Sequence, residues 1–234
     1  MQKLIDIPDD WYQKLSPVIT SPAFRNIAGF ISEERKTKVI FPHSGEVFRA
    51  FRETPFNKVK VVILGMDPYP TLHKDQPVAC GLAFAPRFRD FVPPSLRVIY
   101  SKIKETIYPD DLCFPIDLNL EDWAKQGVFL INAALTVEYQ KAGSHLKVWE
   151  GFTRKVLQTI SEETTGIIFC FWGKDAQKFK DCINPDMHWV LEAPHPVSAV
   201  YKGGSWDCNH FEEINKLLLV NHGEEIKWMT LPNP

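Results

Sequence analysis

Four short apolar runs punctuate the chain: Val59-Lys-Val-Val-Ile-Leu64, Val128-Phe-Leu-Ile131, Gly166-Ile-Ile-Phe-Cys-Phe-Trp172 and His188-Trp-Val-Leu191. Each is too short for a helix and rich in β-branched and aromatic residues. Their apolarity is continuous rather than alternating, which predicts strands covered on both faces. Between them the period lengthens. Ser95, after Pro93-Pro94, is placed to N-cap a helix carrying Leu96, Ile99, Ile103 and Ile107 on one face. Trp149, Phe152, Val156 and Ile160 repeat at helical spacing, as do Phe211, Ile214, Leu217 and Leu218. Strands alternating with helices predict an α/β fold. We expect a single domain over residues 1–234, with a central, mainly parallel four-stranded sheet flanked by helices on both faces.

Open parallel sheets bind ligands at the carboxyl ends of their strands. The residues just past each run therefore matter most. They are Gly65-Met66-Asp67-Pro-Tyr69-Pro70, Asn132-Ala-Ala-Leu-Thr136, Gly173-Lys174 and Glu192-Ala-Pro-His195-Pro. An Asp, an Asn, a Lys and a His, distant in sequence, are expected on one rim. Taken singly, each has a plain structural role open to it: Asp67 as a turn residue before proline, Asn132 as a strand-end cap, His195 as a loop histidine, Phe84 and Tyr69 as packing. Their shared position makes them a candidate active site.

Composition narrows the class. The 234 residues are 44% hydrophobic and 24% charged, enough for a sizeable core, and no Gly/Ser run, charge block or repeat marks a linker. A net charge of −2 does not advertise a nucleic-acid binder, so a DNA enzyme built this way must gather its positive charge locally. Cys80, Cys113, Cys170, Cys182 and Cys208 are odd in number, scattered and free of any C-x-x-C pair. That argues against a disulfide framework or structural zinc, and for reduced thiols in an intracellular, cytoplasmic protein. No apolar run approaches the roughly 18–20 residues of a membrane span, and the N-terminus reads as neither signal nor transit peptide.

The stretch Val61-Val-Ile-Leu-Gly-Met-Asp-Pro-Tyr69 resembles family 1 uracil-DNA glycosylases, whose water-activating motif usually reads GQDPYH. The resemblance covers nearly the whole chain. It runs through Phe41-Pro-His-Ser-Gly-Glu-Val-Phe-Arg-Ala-Phe51, Gly81-Leu-Ala-Phe84, Pro93-Pro-Ser-Leu96, Leu130-Ile-Asn132-Ala-Ala-Leu-Thr-Val137, Gly143-Ser-His145, Phe171-Trp-Gly173, His195-Pro196 and Cys208-Asn-His-Phe211. It implies flipping of uracil out of DNA and hydrolysis of its N-glycosidic bond, leaving an abasic site for base excision repair. Asp67 and His195 are the implied catalytic residues, Asp67 to stabilise the sugar cation and direct water, His195 to donate a hydrogen bond to uracil O2. Met66, Tyr69, Phe84 and Asn132 are implied to bind the base: backbone donors near Met66, a wall beside C5 from Tyr69, stacking on Phe84, and a carboxamide matching N3–H and O4 from Asn132. Pro70, Ser95, Lys174, Ser198 and Tyr201 are the expected DNA contacts, with Lys202 a further rim cation. The implied partner is uracil-containing DNA, single- or double-stranded, with a proteinaceous DNA mimic as a candidate inhibitor. No cofactor is implied, and a monomer is expected.

The chain departs from the family pattern at Met66 for Gln, Pro70 for His and Lys174 for Ser. After His195-Pro196 the family's SPLS becomes Val197-Ser-Ala-Val-Tyr201, leaving Tyr201 as the nearest large residue for the intercalating wedge. Two other readings stay open: a glycosylase fold used as a DNA- or protein-binding subunit, and a glycosylase for a modified pyrimidine.

Overall fold

The computed structural model describes residues 5–109, 118–202 and 205–229. Cys113 and the side chain of Lys202 lie outside the described residues. The four apolar runs form the four central strands, β2 (Val61–Gly65), β5 (Val128–Asn132), β7 (Ile168–Trp172) and β8 (Trp189–Ala193). They pair in the order β5-β2-β7-β8, every neighbour parallel. Two short antiparallel pairs accompany them: β1 (Ile40–Phe41) with β6 (Val137–Glu138), and β3 (Leu72–His73) with β4 (Gln76–Pro77).

The helices are α1 (Asp9–Ile19), α2 (Pro22–Thr37), α3 (Arg49–Glu53), α4 (Pro94–Thr106), α5 (Glu121–Lys125), α6 (Leu146–Glu163), α7 (Lys174–Gln177), α8 (Pro196–Lys202) and α9 (His210–His222). Strand register sorts them into layers. Phe129 pairs with Val62 and Val62 with Phe169, so these three point to one face; Trp172, three residues on, points to the other. On the first face Phe129 stacks on Trp11 of α1 at 4.8 Å and meets Phe51 of α3 edge-on at 5.2 Å. Phe51 in turn contacts Phe152 of α6. On the second face Trp172 contacts Trp206 and Phe211 of α9, and Phe211 contacts Trp228. Aromatic rings thus glue a helical layer to each side of the sheet.

The α6 stripe is as the spacing predicts: Trp149, Phe152, Val156 and Ile160 are all buried. In α9, Phe211, Ile214 and Leu218 are buried, and Leu217 is half-buried at the edge of the stripe. Gly223, with φ +69°, ends that helix in the left-handed conformation.

Two expectations need correction. β2, β5 and β7 are buried throughout, whereas in β8, one of the two outer strands, Trp189, Val190 and Leu191 are only half-covered and Glu192 is exposed. The helical layers cover this outer strand only in part, and its apolar side chains are half-covered on successive positions. Ser95 does not cap α4. The helix begins at Pro94 with Pro93 as the residue before it, and no side chain caps it. Proline suits these positions because its ring presets φ and it lacks an N–H that would need a partner there. Leu96, Ile99 and Ile103 are buried as the stripe predicts, whereas Ile107 is a half-buried residue closing the helix.

Cys80, Cys170, Cys182 and Cys208 are buried free thiols. Among the described residues no helix is long and apolar enough to cross a membrane.

Candidate active site

The chain leaves β2 for β5 on one side of the sheet and later crosses β2 to reach β7 and β8 on the other. Such a reversal opens a crevice at the strands' carboxyl ends. A cavity of about 340 Å³ lies there, lined by Gly65 through Pro70, Phe84, Pro94, Ser95, Asn132, His195, Val197 and Tyr201 among others. A larger hollow of about 740 Å³ beside Ser161, Asp181 and Met187 contains none of the strand-end residues. The cavity therefore gathers Met66, Asp67, Tyr69, Pro70, Phe84, Ser95, Asn132, His195 and Tyr201. Lys174 and Ser198 do not line it.

Asn132 closes β5 directly opposite Gly65, the last residue of β2. The two strand ends are laced past that point: Ala133 N–H donates to Gly65 O at 2.8 Å and Ala134 N–H to Met66 O at 3.0 Å. Gly65 matters for what it lacks. A Cβ there would lie 2.3 Å from Asn132 Oδ1. Asn132 is only 6% exposed, yet no hydrogen bond among the described residues engages its carboxamide. The residue as a whole is buried while its amide opens on the cavity, where a ligand can take up both the donor and the acceptor.

Asp67 Oδ2 accepts a 2.5 Å hydrogen bond from Gly143 N–H. That donor is itself braced. Ser144 Oγ accepts from Glu138 N–H at 2.9 Å, Trp149 Nε1 donates to Thr136 Oγ1 at 2.7 Å, and Thr136 Oγ1 lies 2.8 Å from His145 Nδ1. Burial raises the Asp67 carboxyl to about 6; the Gly143 bond opposes the rise and the Asp175 carboxylate adds to it.

His195 lies two residues past β8. Its Nδ1 accepts from Val197 N–H at 3.2 Å. This bond assigns the neutral ring's proton to Nε2, leaving that atom a donor. Burial lowers the imidazole's pKa, with the Asp175 carboxylate opposing. Gly173, with φ +99°, packs against this residue: a Cβ there would stand 2.9 Å from His195 Cβ. Only glycine combines that backbone with that approach. Ser198 donates to His195 O through both its N–H, at 2.9 Å, and its hydroxyl, at 2.7 Å, so it fixes the first turn of α8.

Phe84 is buried, with φ +63°, a conformation rare for a bulky residue. Its ring contacts Trp172 at 5.3 Å and His195 at 6.0 Å. Its carbonyl accepts from Tyr69 Oη at 2.9 Å, and Tyr69 Oη lies 2.9 Å from Ser95 Oγ. Tyr201 is 84% exposed at the cavity mouth. Lys174 is exposed at the start of α7, one residue after Gly173.

Sequence reasoning missed four contributors. Gly65 carried a signal, since glycine in a strand marks close approach. Gly143 stood only within a stretch of family resemblance, and Gly173 was placed at the end of its strand without a role. Asp175, whose field reaches both Asp67 and His195, carried no signal.

The profile described as the Uracil DNA glycosylase superfamily matches residues 51–219. A protein named uracil-DNA glycosylase from Francisella tularensis is 40% identical over 223 residues, spanning 94% of this chain and 99% of that one. The crystal structure of mimivirus uracil-DNA glycosylase has a TM-score of 0.86 at 26% identity, covering 95% of this chain and 87% of that chain. A variant of the mimivirus enzyme in complex with UGI matches with the same TM-score at 27% identity, covering 95% of this chain and 88% of that one. With the family profile spanning most of its length and a near-full-length relative at 40% identity, this chain belongs to the uracil-DNA glycosylase superfamily.

Proposed function

We propose that this chain excises uracil from DNA by hydrolysing the N-glycosidic bond, leaving an abasic site for base excision repair. The observation that carries the reading is the Asn132 carboxamide, open to the cavity and engaged by no hydrogen bond among the described residues, beside Asp67 and His195, which line the same cavity. An amide held in one orientation accepts from uracil N3–H and donates to O4; cytosine presents the reverse pattern and is refused. The target base must leave the duplex stack to reach such a cavity. Phe84 would stack on it, and Tyr69 would occupy the space beside C5, where thymine carries a methyl group.

Breaking the bond builds positive charge on the sugar and negative charge on the departing base. Asp67, ionised above about pH 6 and aimed by Gly143, stabilises the cation and directs the attacking water. Neutral His195 donates from Nε2 to uracil O2 as charge develops, with the N–H groups of Met66 and Asp67 as further donors. Tyr201, exposed at the mouth, serves as the wedge that fills the vacated stack. Pro70 and Ser95 at the rim, Ser198 at the start of α8 and Lys174 on α7 face the strand. The site is assembled from one chain's strand ends, which supports action as a monomer. The similarity to a mimivirus enzyme seen with UGI supports a proteinaceous inhibitor as a second partner.

The test is cleavage of a labelled single-stranded oligonucleotide bearing one uracil, followed by hot alkali, with thymine and Asp67→Asn as controls. Uracil-only cleavage, lost by orders of magnitude in the variant, is expected. DNA binding without abasic product at enzyme excess would favour the binding-subunit reading instead.

A further inference from the structure

Tyr69 is not a free-standing wall. Its phenol has a single proton, donated to Phe84 O at 2.9 Å. The contact with Ser95 Oγ at 2.9 Å therefore runs the other way, with the Ser95 hydroxyl donating to the phenol oxygen. Ser95 is buried, at 5% exposure. It stands in the first turn of α4, directly after two prolines that fix the backbone on which it rides. The phenol is thus clamped between a helix start and a carbonyl belonging to a residue in the left-handed region.

We propose that Ser95 is a positioning residue for base selection: by clamping the Tyr69 phenol it sets how large a C5 substituent the cavity admits. The inference rests on the uracil reading and adds a second residue to the wall. Without the Ser95 hydroxyl, Tyr69 keeps its bond to Phe84 but gains freedom to swing about it. The cavity then yields to a methyl or bromine at C5.

The experiment compares excision of uracil and 5-bromouracil from otherwise identical single-stranded oligonucleotides by the wild-type chain, Ser95→Ala, Tyr69→Phe and the double variant. Taking the ratio of the two kcat/KM values within each protein, then comparing proteins, cancels the intrinsic reactivity of the two bases. Loss of one neutral hydrogen bond should raise the 5-bromouracil to uracil ratio in Ser95→Ala by roughly three- to tenfold. Because Ser95 acts through the phenol, Ser95→Ala should add nothing to the ratio in the Tyr69→Phe background. Three results would overturn the role: an unchanged ratio; an equal rise in both backgrounds; or a loss confined to KM and equal for both bases, which marks a contact made alike with either DNA. If the wild-type chain excised no uracil, the underlying reading would fail and the Ser95 role with it. Excision with an unmoved ratio would remove the Ser95 role alone.

Discussion

Replacing Gly65 by Ala isolates the part of the site that reads the base. The added methyl would stand 2.3 Å from Asn132 Oδ1 and 3.2 Å from Ala83 Cβ. The first approach is impossible without movement, and what moves most easily is the end of the Asn132 side chain. Stability should therefore change little. Overpacking costs about 1–3 kcal/mol when a core must rearrange, and here a carboxamide facing a cavity can turn aside, so the low end applies. Function should change more. Turning the amide loses two hydrogen bonds to uracil of about 1–1.5 kcal/mol each. Together these are about 2–3 kcal/mol, or a roughly 30- to 150-fold fall in kcat/KM at about 1.4 kcal/mol per factor of ten. The assay is uracil excision from a single-stranded oligonucleotide beside a thermal melt of the same preparation. Activity within threefold of wild type would mean that Asn132 does not read the base. An activity loss matched by a collapse in Tm would mean that the glycine serves packing alone.

Other perturbations follow from the two titrating groups and their supports. Asp67 has a folded pKa raised from 3.8 to about 6, so its favourable contribution to stability is full below its ordinary pKa and is lost as pH rises through about 6. Asp67→Asn should then melt higher than wild type at pH 8, by about 1–2 kcal/mol after discounting for partial exposure, and at the same temperature near pH 3.8; the same offset at both values would contradict this. Asp175→Asn removes a carboxylate whose field reaches Asp67 and His195. It should move the acidic limb of the kcat/KM profile to lower pH, and a limb that stays in place would show the field to be screened. Gly173→Ala must adopt φ +99° and crowd His195; a destabilisation of about 1–3 kcal/mol and at least a roughly tenfold loss of excision are expected, measured by melting and turnover, and unimpaired excision would uncouple Gly173 from His195.

Much of the sheet was legible because three strands are buried on both faces, and a short run that is apolar at every position needs cover on both sides. Reading past the end of each run then located Asp67, Asn132 and His195 without any contact information. β8 misled because a half-covered strand carrying Trp189, Val190 and Leu191 reads like a buried one. Ser95 misled because a serine after prolines looks like a cap, and local pattern cannot reveal that its hydroxyl is claimed by Tyr69, 26 residues away. The same limit hid Gly143 and Asp175. Their importance lies in what they face across the fold, and neither periodicity nor turn chemistry records that.

The balance of charges in the cavity accounts for how an acidic chain could act on a polyanion without a ring of cations at the reacting atoms. Burial lowers the His195 imidazole and raises Asp67 only to about 6, so near pH 7 the cavity holds an ionised carboxylate and a neutral ring. A protonated His195 would place a second positive charge in the cavity where the sugar cation forms. Kept neutral, with Nδ1 held by Val197 N–H, it offers a dipole to the departing base and leaves the negative charge of Asp67 undiminished. On the proposed reaction the cation meets a full charge, and the anion meets uncharged donors fixed by backbone bonds, which need no reorganisation as the bond breaks. The clamp on Tyr69 and the lacing of β2 to β5 extend the same principle to base selection. The site discriminates through positions that neutral hydrogen bonds hold still, and those bonds are unaffected by the salt that weakens contacts to phosphate.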